Sequence, residues 1–218
     1  MMETVISLDT SDGPMRAFRT APAGTDRRPA LLVIQEAFGV NSHIRNVCRR
    51  LSARGYVALA PELFHRTGQG VELPYDDMAK VMPHFTALTN GGLLMDVRAG
   101  LAALETDARV DAARVGVIGF CVGGFTAFLA AEHTDARAFV AFYAGGIVRP
   151  RPNIALTPLI DDAHLIRGPL LLVFGGKDQS IPADDVHAVD ARLTELGKDH
   201  DVVTLPEGGH GFACDERA

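Results

Sequence analysis

Two apolar runs of strand length, Ala30–Ile34 and Tyr56–Ala60, flank a segment whose apolar residues Ile44, Val47, Cys48 and Leu51 follow the i, i+3, i+4, i+7 spacing of a helix. Asn41 or Ser42 is placed to cap that helix and Gly55 to end it. The alternation recurs. A helical stripe at Leu94, Val97, Leu101 and Leu104 leads to a strand Val115–Phe120, a small-residue helix from Val122 to about Glu132, and a strand Ala138–Tyr143. After a loop rich in Pro and Arg (Val148–Pro158) come a strand Pro169–Phe174, a helix with Val186, Val189, Leu193 and Leu196 that stops at Gly197, and a strand Asp201–Leu205. Runs such as Leu31-Leu32-Val33-Ile34 and Leu170-Leu171-Leu172-Val173 show no alternation of apolar and polar positions, so both faces of those strands are expected to be buried. That pattern predicts an α/β protein with a parallel sheet covered by helices. Glu3–Leu8 and Met15–Thr20, joined across Ser11-Asp12-Gly13-Pro14, read as an antiparallel hairpin at the sheet edge.

Composition narrows the picture. With 218 residues, 47% hydrophobic and 22% charged, the chain can bury one core, and residues 1–218 are read as a single domain. A net charge of −6 with no cluster of like charges argues against a nucleic-acid partner. Three widely spaced cysteines, Cys48, Cys121 and Cys214, fit a reducing compartment. The longest uncharged run, the 17 residues Val115–Ala131, is broken by four glycines and reads as strand plus helix. No membrane span or secretory signal is visible, and a cytoplasmic location is expected.

In open sheets of this kind, chemistry is sought where strand ends open into loops. The strand Val115–Phe120 ends in Gly119-Phe120-Cys121-Val122-Gly123-Gly124, with a thiol between glycines at a strand-to-helix turn. This is the Gly-x-Cys-x-Gly form of the nucleophile elbow, and the helix N-terminus beyond it favours a thiolate. Taken alone, the motif fits a buried structural cysteine equally well. Two further strand ends shift the balance: Gly175-Gly176-Lys177-Asp178, and Pro206-Glu207-Gly208-Gly209-His210-Gly211. Cys121, Asp178 and His210 thus follow one another in the nucleophile, acid, histidine order of the α/β-hydrolases. In that arrangement His210 moves protons and Asp178 holds its tautomer. The backbone N–H groups of Ala37 and Val122 are the expected oxyanion donors.

At this point the chain resembles the dienelactone hydrolase (carboxymethylenebutenolidase) family. The resemblance is carried by Gln35-Glu36-Ala37-Phe38-Gly39-Val40-Asn41, by Arg54-Gly55-Tyr56-Val57-Ala58-Leu59-Ala60-Pro61-Glu62-Leu63, by the cysteine elbow, by Gly175-Gly176-Lys177-Asp178 and by Gly209-His210-Gly211-Phe212. It implies an α/β-hydrolase fold, a three-layer αβα sandwich around a twisted, mostly parallel sheet. It also implies a carboxylic ester or lactone hydrolase working through a Cys-His-Asp triad and an acyl-enzyme, without metal or cofactor. The family's matching glutamate approaches the nucleophile and helps switch it between thiol and thiolate, a role that would fall here to Glu36. A carboxylate beside a thiol opposes a second negative charge, which is compatible with that role.

The chain departs from the family in one respect. The family's anionic lactone is held by two arginines, one ahead of the elbow and one four residues after the histidine. Here position 214 is Cys214, and the only cation between Arg66 and Arg98 is Lys80. An anion clamp is therefore not carried over, and Arg149 and Arg151 are read as a solvated loop pair. Phe38, Tyr143 and Phe212 are expected beside the substrate, while Phe142 and Cys48 are read as core. His43, His65, His84 and His133 lack metal-ligand spacing and are read mainly as surface residues. Eight residues follow His210, and no final helix is predicted over that part of the sheet. Either the chain is truncated ahead of such a helix, or the remaining sheet face is expected to be covered by smaller helices or a second subunit, and both monomer and homodimer are open. The rival reading keeps the scaffold for a non-catalytic, redox-responsive thiol sensor or ligand-binding protein with a reactive Cys121 and an exposed Cys214.

Overall fold

The computed structural model describes residues 1–152 and 154–217; Asn153, in the Pro- and Arg-rich loop, and Ala218 lie outside the described residues. Eight strands form one sheet: β1 (Met2–Thr10), β2 (Gly13–Ala21), β3 (Arg28–Ile34), β4 (Val57–Pro61), β5 (Val110–Phe120), β6 (Phe139–Phe142), β7 (Leu170–Gly175) and β8 (His200–Leu205). Their order is β1-β2-β4-β3-β5-β6-β7-β8. β1 pairs antiparallel with β2, and β2 antiparallel with β4, so the N-terminal hairpin lies at the edge as its turn sequence predicts. From β4 to β8 every pairing is parallel.

Five α-helices connect the strands: α1 (Ser42–Ala53), α2 (Met78–Phe85), α3 (Asn90–Thr106), α4 (Val122–His133) and α5 (Ala183–Glu195). Asn41 caps α1 by accepting from the Ile44 N–H, and Gly55 turns the chain out of it at φ +95°. From β3 the chain crosses through α1 to β4 on one side, then returns through α3 to β5 on the other. Right-handed crossovers therefore put α1 and α3 on opposite sheet faces. Helices α3 and α4 pack side by side, and a 3-10 turn, Ile160–Leu165, links α4 to α5 on the same face. On the α1 face Ile118, Val140 and Leu171 stand in register and are only partly buried. Beyond β8 the described chain runs in turns and loop to Arg217, with no helix.

Two elements differ from the sequence reading. Helix α2 is not predicted; it is short and carries Pro83, yet Asp77 caps it and Val81 and Phe85 bury one side. In α3 the buried stripe is Leu93, Asp96, Val97, Gly100, Leu101 and Leu104, with Leu94 only half-buried. A fully buried Asp96 is tolerated because Arg66 meets it with two parallel hydrogen bonds, each 2.8 Å, and the His65 ring adds a third contact at 3.1 Å. His65 is thus an interior partner and not a surface histidine. His43 is buried as well.

Candidate functional site

The strand-to-helix turn after β5 is built by close approach. A Cβ on Gly119 would lie 1.8 Å from the Gly123 carbonyl oxygen, and one on Gly123 would lie 2.4 Å from that of Ile34. Only glycine fits either place. Cys121 between them is held at φ 57°, in the left-handed region that non-glycine residues avoid, which turns its side chain up from the sheet. It stands at the head of α4, a helix that is buried along nearly its whole length.

Asp178 and His210 come from the loops after β7 and β8, two neighbouring strands, and the topology carries both toward the elbow. His210 Nε2 lies 3.2 Å from Cys121 Sγ, and its Nδ1 lies 2.8 Å from Asp178 Oδ2. Ser180 Oγ and the Ser180 N–H donate to Asp178 Oδ1 at 2.7 and 2.8 Å, fixing the carboxylate from its other side. Burial works against charge on the His210 ring, but Asp178 and Cys121 outweigh it and raise the imidazole to about 10. Burial likewise pushes Asp178 upward, yet the hydrogen bonds from His210 and Ser180 hold it below the ordinary carboxylate value. The chain of contacts is thus poised to hold an imidazolium between two acids.

Gln35 closes the end of β3, accepting from the Leu63 N–H and donating to the Glu36 carbonyl. Gly39 follows at φ +85°, where a Cβ would strike the Val71 carbonyl oxygen at 1.9 Å. Between them Glu36 points inward and is buried. Its carboxylate lies 3.6 Å from Arg217 and beside the Tyr143 hydroxyl, and neither it nor that hydroxyl completes a hydrogen bond. Burial raises Glu36 above the ordinary value, partly opposed by Arg217, Tyr143 and His210. Cys121 Sγ is not among its hydrogen-bond partners. The Ala37 and Val122 N–H groups find no backbone acceptor among the described residues, so both remain available as donors.

A cavity of about 200 Å³ opens over Cys121, lined by Ala37, Phe38, Met78, Phe85, Arg151, Ser180, His210 and Arg217. It brings together Cys121, His210, Ala37 and Phe38 from the sequence reading, with Asp178 behind His210. The expectation that Tyr143 and Phe212 line it needs correction. Tyr143 is fully buried, packed edge-on against His210 and Phe212. Arg151 also departs from expectation: it faces the cavity, while its neighbour Arg149 is tied to Asp185. Cys214 is buried and not exposed. Sequence reasoning misses Met78 and Phe85, because α2 is missed. It also misses Ser180 and Arg217. Arg217 lies over the rings of Phe38 and Tyr75, 5.3 and 5.7 Å from their centres. The signal that could have found it is its place in the short segment after His210.

A cysteine at a glycine-walled elbow, facing a histidine and an acid from the next strand ends of a doubly wound sheet, defines the α/β-hydrolase class. Within that class, the profile of the dienelactone hydrolase family matches residues 15–218, and the chain belongs to that family. It is 34% identical over 219 residues to a protein of Synechocystis sp. assigned as a carboxymethylenebutenolidase, spanning 99% of this chain and 88% of that one. A protein of Methylorubrum extorquens with the same assignment is 36% identical, over 97% of this chain and 72% of its own. A crystal structure from Klebsiella pneumoniae, assigned as a dienelactone hydrolase, superposes with a TM-score of 0.89 at 31% identity, covering all of this chain and 90% of that one. The chain is accordingly a hydrolase of the ester and lactone class, which sets aside the non-catalytic reading. Among the described residues, no helix is long and apolar enough to cross a membrane.

Proposed function

We propose that the protein opens small carboxylic esters or lactones through a covalent acyl-enzyme on Cys121, with His210 and Asp178 completing a triad. The observation that carries this reading is the single imidazole bridging Cys121 at 3.2 Å and Asp178 at 2.8 Å on the wall of the cavity. His210 Nε2 takes the Cys121 proton as the sulfur bonds to the substrate carbonyl carbon. The Ala37 and Val122 N–H groups then hold the oxyanion. Collapse of the tetrahedral intermediate breaks the carbon–oxygen bond, and the leaving alkoxide takes the proton back from His210. Water then attacks the thioester, again giving its proton to His210, and Cys121 is released and reprotonated. Asp178 keeps the imidazole oriented and stabilises its charged form throughout. Glu36 tunes the balance between thiol and thiolate, as its counterpart does in the family, from a niche beside Arg217.

The walls also suggest the shape of the substrate. Phe38, Met78 and Phe85 offer an apolar side, and the Arg151 and Arg217 guanidinium groups offer charge. Among the described residues Arg151 has no acidic partner, so it is free to meet a carboxylate. We therefore read the substrate as a compact ester or lactone bearing an anionic group.

Two measurements test this reading. Mass spectrometry after rapid quenching with an activated ester should find the acyl group on the peptide containing Cys121; acylation elsewhere would refute the mechanism. Arg151→Ala should lower kcat/KM for a carboxylate-bearing lactone by about 10-fold or more, the worth of a charged hydrogen bond, while leaving a neutral ester within about twofold. An equal loss on both substrates would remove the anionic assignment.

A further inference from the structure

Beside the cavity, Glu36 also belongs to a second cluster, with His43 and Cys214, two chemically capable groups that the proposed reaction does not use. Glu36 and His43 are each 1% exposed, and Cys214 is fully buried. One donor atom from each, a carboxylate oxygen, an imidazole nitrogen and a thiol sulfur, all fall within 4.8 Å of one another. Among the described residues, both oxygens of Glu36 and both ring nitrogens of His43 lack any hydrogen-bond partner. A carboxylate and an imidazole without hydrogen bonds, brought together beside a thiol, are unusual in a protein interior, where buried donors and acceptors are nearly always satisfied.

We propose that Glu36, His43 and Cys214 form a binding site for a divalent transition-metal ion of the zinc class. The donor chemistry sets the class. An ordered water would satisfy the oxygen and nitrogen but gains little from a sulfur, whereas a mixed carboxylate, imidazole and thiolate set suits a borderline-soft, tetrahedral ion. Bond lengths of about 2.0–2.3 Å place such donors roughly 3.3–3.8 Å apart, so the three need to close by about 1 Å. A tetrahedral ion needs one more ligand. The Tyr75 hydroxyl, 3.4 Å from Cys214 Sγ, or a water could supply it.

The charges around the cluster are compatible with a dication. Arg217 lies 3.6 Å from Glu36 Oε1, which leaves Oε2 free. Around His43 stand Arg50 and Arg217 against Asp215 and Glu216, two charges of each sign. On binding, Cys214 gives up its proton to solvent, so that thiolate and carboxylate together neutralise the ion. The ion would enter from the cavity, past Arg217, which lines the cavity and touches Glu36. The site shares Glu36 with the proposed reaction but does not depend on the acyl-enzyme assigned to Cys121.

Cys121 is a thiol on the cavity wall and would give its own thiolate signal with cobalt, so the test uses the Cys121→Ser protein. Titration with Co²⁺ should give a thiolate-to-metal charge-transfer band that saturates at one equivalent, and Zn²⁺ should displace it. The band should disappear when Cys214→Ser or His43→Gln is added to Cys121→Ser, with the fold checked by circular dichroism. Should Cys214→Ser fail to fold, His43→Gln carries the same test, with at least a tenfold weakening expected. Absence of the band in Cys121→Ser, or its persistence at full strength in the double variants, would overturn the proposal.

Discussion

Replacing Cys121 by alanine is expected to lower kcat for an activated ester by about 10⁴-fold or more, while the protein stays folded. Loss of a nucleophile that acts as a unit with its histidine and acid removes most of the rate enhancement, leaving only what oxyanion donors and binding supply. The fold should survive because, among the described residues, the thiol's side-chain hydrogen bond is to His210 alone, and alanine keeps the Cβ that packs in the core. The elbow's shape rests on Gly119 and Gly123, which the substitution leaves alone. Alanine also carries a Cβ, so the positive φ costs it about what it costs cysteine. Steady-state kinetics with active-site titration, alongside a thermal melt, decides the matter. A variant that keeps even a tenth of the wild-type kcat would place the nucleophile elsewhere.

The second large effect concerns stability. Near the C-terminal end of α4, Glu132 is buried, and among the described residues neither carboxylate oxygen is hydrogen-bonded, the His133 ring lying 3.9 Å from Oε2. Burial, reinforced by Asp162, lifts its pKa to about 9. The folded state therefore keeps a proton that the unfolded chain releases near 4.5, the ordinary glutamate value. Raising the pH through this window favours the unfolded chain, and the loss of stability is complete only above about 9. Glu132→Gln has no proton to lose. Between pH 4 and pH 7 the stability of the glutamine variant should rise relative to wild type by about 3 kcal/mol, at about 1.4 kcal/mol per pH unit above the unfolded value. Urea unfolding at both pH values measures the change. An unchanged difference would show that the carboxylate is ionised and solvated in the folded protein.

Cys121, Asp178 and His210 are legible in sequence because each follows a strongly apolar run and sits in a glycine-marked turn, so local pattern places all three at the same edge of a parallel sheet. The strands are legible for the same reason. Helix α2 is not: it spans barely two turns, and its Pro83 reads as a breaker, although the proline's missing N–H falls near the helix end. Asp96 hides inside a helical stripe because a charged residue does not register as interior until Arg66 is seen to neutralise it. Arg217 escapes because it reaches the cavity along irregular turns, where spacing in sequence says little about distance in space. His43 and Cys214 look unremarkable apart, 171 positions from one another in the chain. Only the return of the segment after β8 along α1, where Ser42 at its start meets Glu216 and Arg50 in its last turn meets Asp215, brings them together.

The strand that delivers His210 differs in one way from the strand that delivers Cys121. Among the described residues, β5 is hydrogen-bonded on both sides, to β3 and β6, whereas β8 pairs only with β7 and leaves Val203 and Leu205 about 40% exposed. Opening of an edge strand takes less free energy than global unfolding. The proton-carrying half of the site is therefore held by a weaker clasp than the half that bears the thiol. Inactivation and denaturation become separable events: β8 can peel from the sheet, carrying the imidazole away, while the centre that holds the elbow remains intact.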